Sequence, residues 1–122
     1  MARGSVPHGD QPAPEETRRR QELLAEIGRI GYVRRGTLLQ RPNRCGTATC
    51  RCHADPPRMH GPYWQWTRKV GGKTVTQRVS EEQAALLRTW LDNAHHRDQL
   101  LAEIDVLSTQ VTDRILAAVS RR

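Results

Sequence analysis

The chain has 122 residues, 36% of them apolar, no phenylalanine and a mean hydropathy of −0.75. A chain this short buries only about two-thirds of its unfolded surface, which excludes a large α/β enzyme fold and calls for a staple such as a metal or a partner chain. The net charge of +7 is concentrated: residues 31–79 hold ten Lys or Arg against Asp55 alone, residues 1–30 are neutral, and residues 80–122 carry five Arg against seven acids. A basic segment beside neutral or acidic helices suits a module that binds a polyanion.

Residues 1–14 contain three Pro and two Gly and read as a disordered tail. From Glu15 the period becomes helical, with Leu23, Leu24, Ile27 and Ile30 on one face, and Gly31 is the expected stop. A short extended piece over residues 36–40 leads through Pro42 into a cysteine loop ending at His60. Two β-rich runs, residues 63–70 and 73–79, then flank Gly71-Gly72 and predict a hairpin with a primed turn. Pairing outward from the glycines sets Val70 opposite Lys73, Arg68 opposite Val75, Trp66 opposite Gln77 and Trp64 opposite Val79.

Ser80-Glu81-Glu82-Gln83 is a capping box that opens a helix carrying Leu86, Leu87, Trp90 and Leu91. Polar residues dominate positions 93–99, where that helix either breaks or runs on exposed. Beyond them Leu100, Ile104, Leu107, Val111 and Ile115 form a stripe close to a coiled-coil seam, suited to a homodimer or a helical partner. Residues 20–27, RQELLAEI, echo residues 97–104, RDQLLAEI; amphipathic helices share this vocabulary, and the two helices are candidates to pack together. No run reaches the roughly 18 apolar residues of a membrane span. The N-terminus also lacks the apolar core of a secretory signal, so a cytoplasmic location is expected.

Cys45, Cys50 and Cys52 are the only cysteines. An odd number of thiols within eight residues is a poor disulfide framework for a reducing compartment. Three thiolates and one imidazole suit a closed tetrahedral zinc site, whereas an iron–sulfur cluster usually takes four thiolates. His60 is the better fourth ligand, because His53 adjoins Cys52 and would crowd one side of the ion.

The strings RCGTATCRC at 44–52, HGPYW at 60–64 and VGGKT at 70–74 together resemble a family of short bacterial proteins of unknown function. Its pattern is R-C-G-x-x-x-C-x-C, H-G-P-Y and G-G-K, and its members are often encountered near transposase and integrase genes. The resemblance spans roughly residues 36–92. It implies the ligand set Cys45, Cys50, Cys52 and His60 and a link to mobile elements, and it implies no activity.

The expected fold is a small α+β module. A β-hairpin or three-stranded antiparallel sheet bears a zinc-knuckle loop, flanked by an N-terminal helix and a long C-terminal amphipathic helix. The expected division is a tail over 1–14, a helix over 15–31, a zinc, hairpin and helix module over 32–92, and the amphipathic helix over 93–122. Trp64, Trp66, Val70, Val75 and Val79 form a hairpin face that needs a cover. The other face, with Tyr63, Gln65, Thr67, Lys69, Thr74, Thr76 and Arg78, has no acid and suits a ribbon entering a major groove. The expected function is non-enzymatic nucleic-acid binding, duplex DNA first, through Gln65, Lys69, Lys73 and Arg78, with Arg34, Arg35, Arg41 and Arg68 on phosphates. The alternative is a protein–protein adaptor that uses the C-terminal helix, the zinc being purely structural.

Overall fold

A computed structural model of the chain describes residues 9–121. Its order is α1 (Pro14–Gly28), β1 (Thr37–Asn43), a single 3-10 turn (Arg51–His53), β2 (His60–Val70), β3 (Lys73–Val79) and α2 (Glu81–Ser120). The chain divides into two compact units, one of Met1–Gly31 with His95–Arg122 and the other of Tyr32–Ala94. Of the tail expected over residues 1–14, residues 1–8 lie outside the described residues.

In the central unit the three strands form one antiparallel sheet in the order β1-β2-β3. The hairpin register is the one the Gly-Gly turn dictates, with Trp64 opposite Val79, Trp66 opposite Gln77, Arg68 opposite Val75 and Val70 opposite Lys73. Gly71 and Gly72 have φ values of 56° and 81°, the doubly left-handed turn that matches strand twist. β1 adds to the far edge of β2, with Leu38 opposite Trp66 and Leu39 opposite Gln65. It runs three residues past the extended piece expected from the sequence and accommodates Pro42 because it is an edge strand.

Ser80 caps α2 as its sequence requires: the Ser80 N–H donates to Gln83 Oε1 (2.9 Å) and the Gln83 N–H donates to Ser80 Oγ (3.1 Å). The first turns of α2 cover the sheet, burying Trp66, Val79, Ala84 and Leu87 in one cluster, with Leu38, Trp64 and Trp90 packed against it. The cover is partial. Val70, expected to share this apolar face, is 51% exposed, because it lies at the turn end of the hairpin. The irregular segment before β1 is tied to α2 by Arg34 N–H to the Trp90 carbonyl (3.1 Å) and by Asn93 Nδ2 to the Tyr32 carbonyl (2.8 Å).

In the helical unit α1 starts on Pro14, a residue suited to a first helical position, and the Ala13 N–H donates to Glu16 Oε1 (2.8 Å). It ends at Gly28 rather than Gly31, with the Arg29 N–H bonded back to the carbonyls of Glu26 and Ile27. α2 is continuous through residues 93–99, so no break occurs there. Most residues of that stretch are tolerable helix formers, and the chain continues past them into the apolar stripe. α1 runs antiparallel to the end of α2: Glu16 pairs with Arg114 (2.7 Å), Arg19 with Glu103 (3.1 Å) and Glu26 with His96 (3.4 Å). Leu23, Leu100 and Val111 are buried. Part of the stripe expected to seek a partner is therefore covered within the chain: α1 is a 15-residue helix, and Leu100 and Val111 are buried, while Ile104, Leu107 and Ile115 are half-buried.

Candidate metal centre and basic sheet face

The antiparallel pairing of β1 and β2 ends with Asn43 opposite His60. That register sets Cys45, two residues beyond β1, beside the first residue of β2. The loop between them then turns back on itself through backbone bonds, Cys50 N–H to Thr47 O (3.0 Å), His53 N–H to Cys50 O (2.9 Å) and Arg58 N–H to Arg51 O (3.0 Å). Gly61, at φ 89°, lets the chain enter β2 where a Cβ would lie 2.7 Å from the Tyr63 nitrogen.

The result is one cluster. The ligand atoms of Cys45, Cys50, Cys52 and His60 all lie within 4.8 Å of one another. Cys50 Sγ is 3.2 Å from His60 Nε2, and Cys45 Sγ is 3.6 Å from Cys52 Sγ. Ligands about 2.0–2.3 Å from a tetrahedral ion stand roughly 3.5–3.8 Å apart, so this spacing fits a four-coordinate metal. Cys52 is fully buried. Burial pushes its thiol up, opposed in part by the Cys45 N–H, which donates to the sulfur at 3.3 Å and favours a thiolate. The Cys45 thiol is held down to about 6, first by the Thr47 backbone and then by His60 and Cys50. These four residues could hold a metal ion, and the donor set favours a soft or borderline one.

His53 stays outside the cluster. Its Nε2 lies 2.7 Å from the Cys45 carbonyl, so it braces the backbone of a ligand residue. The sequence ranks His53 below His60 because it would crowd the ion, but nothing in the sequence points to this second role.

The basic residues divide between two faces of the sheet. By register, the face turned away from α2 carries Leu39 and Arg41 from β1, Tyr63, Gln65, Thr67 and Lys69 from β2, and Thr74, Thr76 and Arg78 from β3. It contains no acid. Its side chains are ordered by one another: Lys69 Nζ donates to Thr74 Oγ1 (2.8 Å), the Thr67 and Thr76 hydroxyls are 3.0 Å apart, and the Arg78 guanidinium lies 3.4 Å from the Tyr63 ring centroid.

Arg34 and Arg68 are on the other side. Their guanidinium groups lie 4.4 and 3.9 Å from the Trp66 ring centroid, and Arg68 Nη1 also donates to Gln77 Oε1 (2.9 Å). Lys73, paired with Val70, shares that side at the turn. Arg35 holds Trp66 through its carbonyl, which accepts the indole N–H at 3.0 Å. Gly36 permits this approach: a Cβ there would collide with the Thr67 carbonyl. Of the eight residues expected to meet nucleic acid, the structure thus gathers Arg41, Gln65, Lys69 and Arg78 on one face. Three more arginines that the sequence reading did not select, Arg44, Arg51 and Arg58, are exposed on the cysteine loop. Their signal was present in the run of charge itself.

A family model of a domain of unknown function, DUF6788, matches residues 13–89. The chain belongs to that family. The match begins at α1 and ends inside α2, so it includes the N-terminal helix, which the motif resemblance left outside, and omits the last part of α2. No curated protein and no solved structure matches the chain. Among the described residues, no helix is long and apolar enough to cross a membrane.

Proposed function

We propose that this DUF6788 protein is a non-enzymatic nucleic-acid-binding module whose sheet is held by one structural zinc ion, with duplex DNA as its target. The observation that carries the reading is the acid-free outer sheet face, with Arg41, Gln65, Lys69 and Arg78 in one patch and Tyr63 stacked beneath Arg78. Gln65 and Arg78 have the donor patterns that read adenine and guanine edges, while Lys69 and Arg41 suit phosphates. Lys73, Arg34, Arg35 and Arg68 lie toward the flank and add to the electrostatic attraction. Zinc fits Cys45, Cys50, Cys52 and His60 because three thiolates and one imidazole complete a tetrahedron and leave no open position for catalysis. When bound, the ion supplies folding energy to a loop with almost no apolar side chains. The resemblance to proteins found near transposase genes favours an accessory or regulatory role in mobile elements, in the cytoplasm.

A gel-shift titration on a generic duplex tests this. Binding should weaken steeply between about 50 and 200 mM salt, each lost phosphate contact removing about 0.9 from the slope of log affinity against log salt. Lys69→Ala should flatten that slope by about one, and Arg78→Ala should relax sequence preference. No shift at micromolar protein and low salt would end the reading and leave the adaptor role, which predicts a partner protein retained through α2.

A further inference from the structure

The echo between residues 20–27 and 97–104 is structural as well as verbal. Leu23 and its counterpart Leu100 are both buried, at 1% and 4% exposed, and Leu24 and its counterpart Leu101 are both exposed, at 42% and 43%. The ion pairs repeat the relation. Arg19 reaches Glu103, and His96, the counterpart of Arg19, reaches Glu26, the counterpart of Glu103. Antiparallel helices that exchange places in this way are related by a local two-fold axis. Such an axis must stand perpendicular to the layer that the two helices form. It follows that Leu24 and Leu101 lie on the same face of the layer.

At about 100° per residue, that face also receives Leu116, Val119, Ser108 and Thr112 from α2. Leu116 and Val119 are 68% and 47% exposed. A groove of about 390 Å³ opens between the helices there, lined by Thr17, Arg20, Leu107, Val111, Thr112 and Ile115. The opposite face is charged, and its Arg19, Glu26, Glu103 and Arg114 are paired within the chain.

We infer that the leucine face binds a second copy of this chain, the two helical layers stacking into a four-helix arrangement. Two features select a copy over another partner. The face carries both signs in balance, Arg20 and its counterpart Arg97 against Glu16 and Asp105, so it meets itself without excess like charge. Both helices also present exposed leucines on it, Leu24 from α1 and Leu101 from α2, so apolar side chains of one copy can meet those of the other, as a closed dimer requires of a self-complementary patch. The area sets the strength. A 15-residue helix is about 22 Å long, and two helices side by side are about 20 Å across, giving roughly 450 Å² per copy before Leu116 and Val119 are added. The total of about 1,000 Å² stands at the low end of specific interfaces, which suits a concentration-dependent dimer rather than a permanent one.

Sedimentation velocity on the zinc-loaded full chain, from a few micromolar to several hundred, tests the inference. The wild type should move from monomer toward dimer across that range. Leu24→Glu/Leu101→Glu should remain monomeric throughout with unchanged far-UV circular dichroism, since both side chains are exposed and neither supports the buried seam. Val106→Glu, on the opposite face and 58% exposed, should dimerise like the wild type. A wild type that stays monomeric over the whole range overturns the proposal. So does a double variant that associates normally, or a Val106 variant that alone abolishes association.

Discussion

The two units of this chain reach order by different chemistry. The helical unit holds nine Arg and nine acids, has no aromatic residue, and packs leucines and valines along an antiparallel seam bordered by ion pairs. The central unit holds all five aromatic residues and all three thiols, and its eleven Lys or Arg against four acids account for the whole net charge. There, Arg34, Arg68, Arg78 and Arg88 lie over aromatic rings, and among the described residues none of the four has a carboxylate partner. One unit neutralises its charge internally. The other keeps cationic groups stacked, ordered and electrically available, an arrangement that suits an anionic partner and leaves the unit dependent on another source of stability.

The largest break in this comparison should come from the metal. Structural zinc in small modules contributes about 10–16 kcal/mol of apparent folding energy. A strong chelator, or Cys50→Ser, should therefore abolish metal content and the order of the central unit. All three tryptophans report on that unit, so their emission should shift to the red. His53→Ala should retain one zinc per chain by elemental analysis, since His53 touches a backbone carbonyl and not the cluster. A His53 variant without metal, beside a His60→Ala variant that keeps it, would reverse the ligand assignment.

Trp66→Ala comes next. The ring is 5% exposed and contacts α2, Arg34 and Arg68, so its removal should cost about 3–5 kcal/mol in denaturant unfolding followed by the remaining tryptophans. A loss within about 0.5 kcal/mol would mean that the sheet is not held by its helix cover.

The smallest effect belongs to the helical unit and appears as a pH dependence. Hydrogen bonds from Arg114, then from the Ala13 N–H, hold the Glu16 carboxyl at about 2 against an ordinary 4.5. A carboxylate depressed in the folded state contributes stability that is fully present above its unfolded value and lost as pH falls through the folded one. The contribution should thus persist above about pH 5 and fade between 4.5 and 2. Glu16→Gln should remove that part of the acid dependence in thermal melts monitored at the helix band. An unchanged acid profile would mean that the pair does not form in solution.

What the sequence made legible was local. The hairpin register follows from two adjacent glycines, the α2 cap from Ser80 and Gln83, and the ligand set from thiol spacing with a histidine at the next strand. Each needs information from a few neighbouring residues only. What it hid depends on residues distant in the chain. The echo made α1 and the end of α2 candidates to pack, but the register that buries Leu100 and Val111 requires Glu16 to find Arg114 and Arg19 to find Glu103. The stacking of Arg34 and Arg68 on Trp66 needs both β1–β2 pairing and the Gly36 approach, and no pattern of charge distinguishes a stacked arginine from a free one. Continuity of α2 was ambiguous because residues 93–99 lack an apolar period, although a helix can pass through polar residues when both of its flanks are packed.

The central claim joins the metal to the basic sheet, and one titration tests the two together. Duplex DNA binding is measured at about 50 mM salt on zinc-loaded protein, on chelated protein, and on chelated protein given zinc again. The account predicts tight, salt-sensitive binding by the loaded form, at least a tenfold loss on chelation, and recovery with zinc. Binding that is indifferent to chelation, or absent from the loaded form, would contradict it.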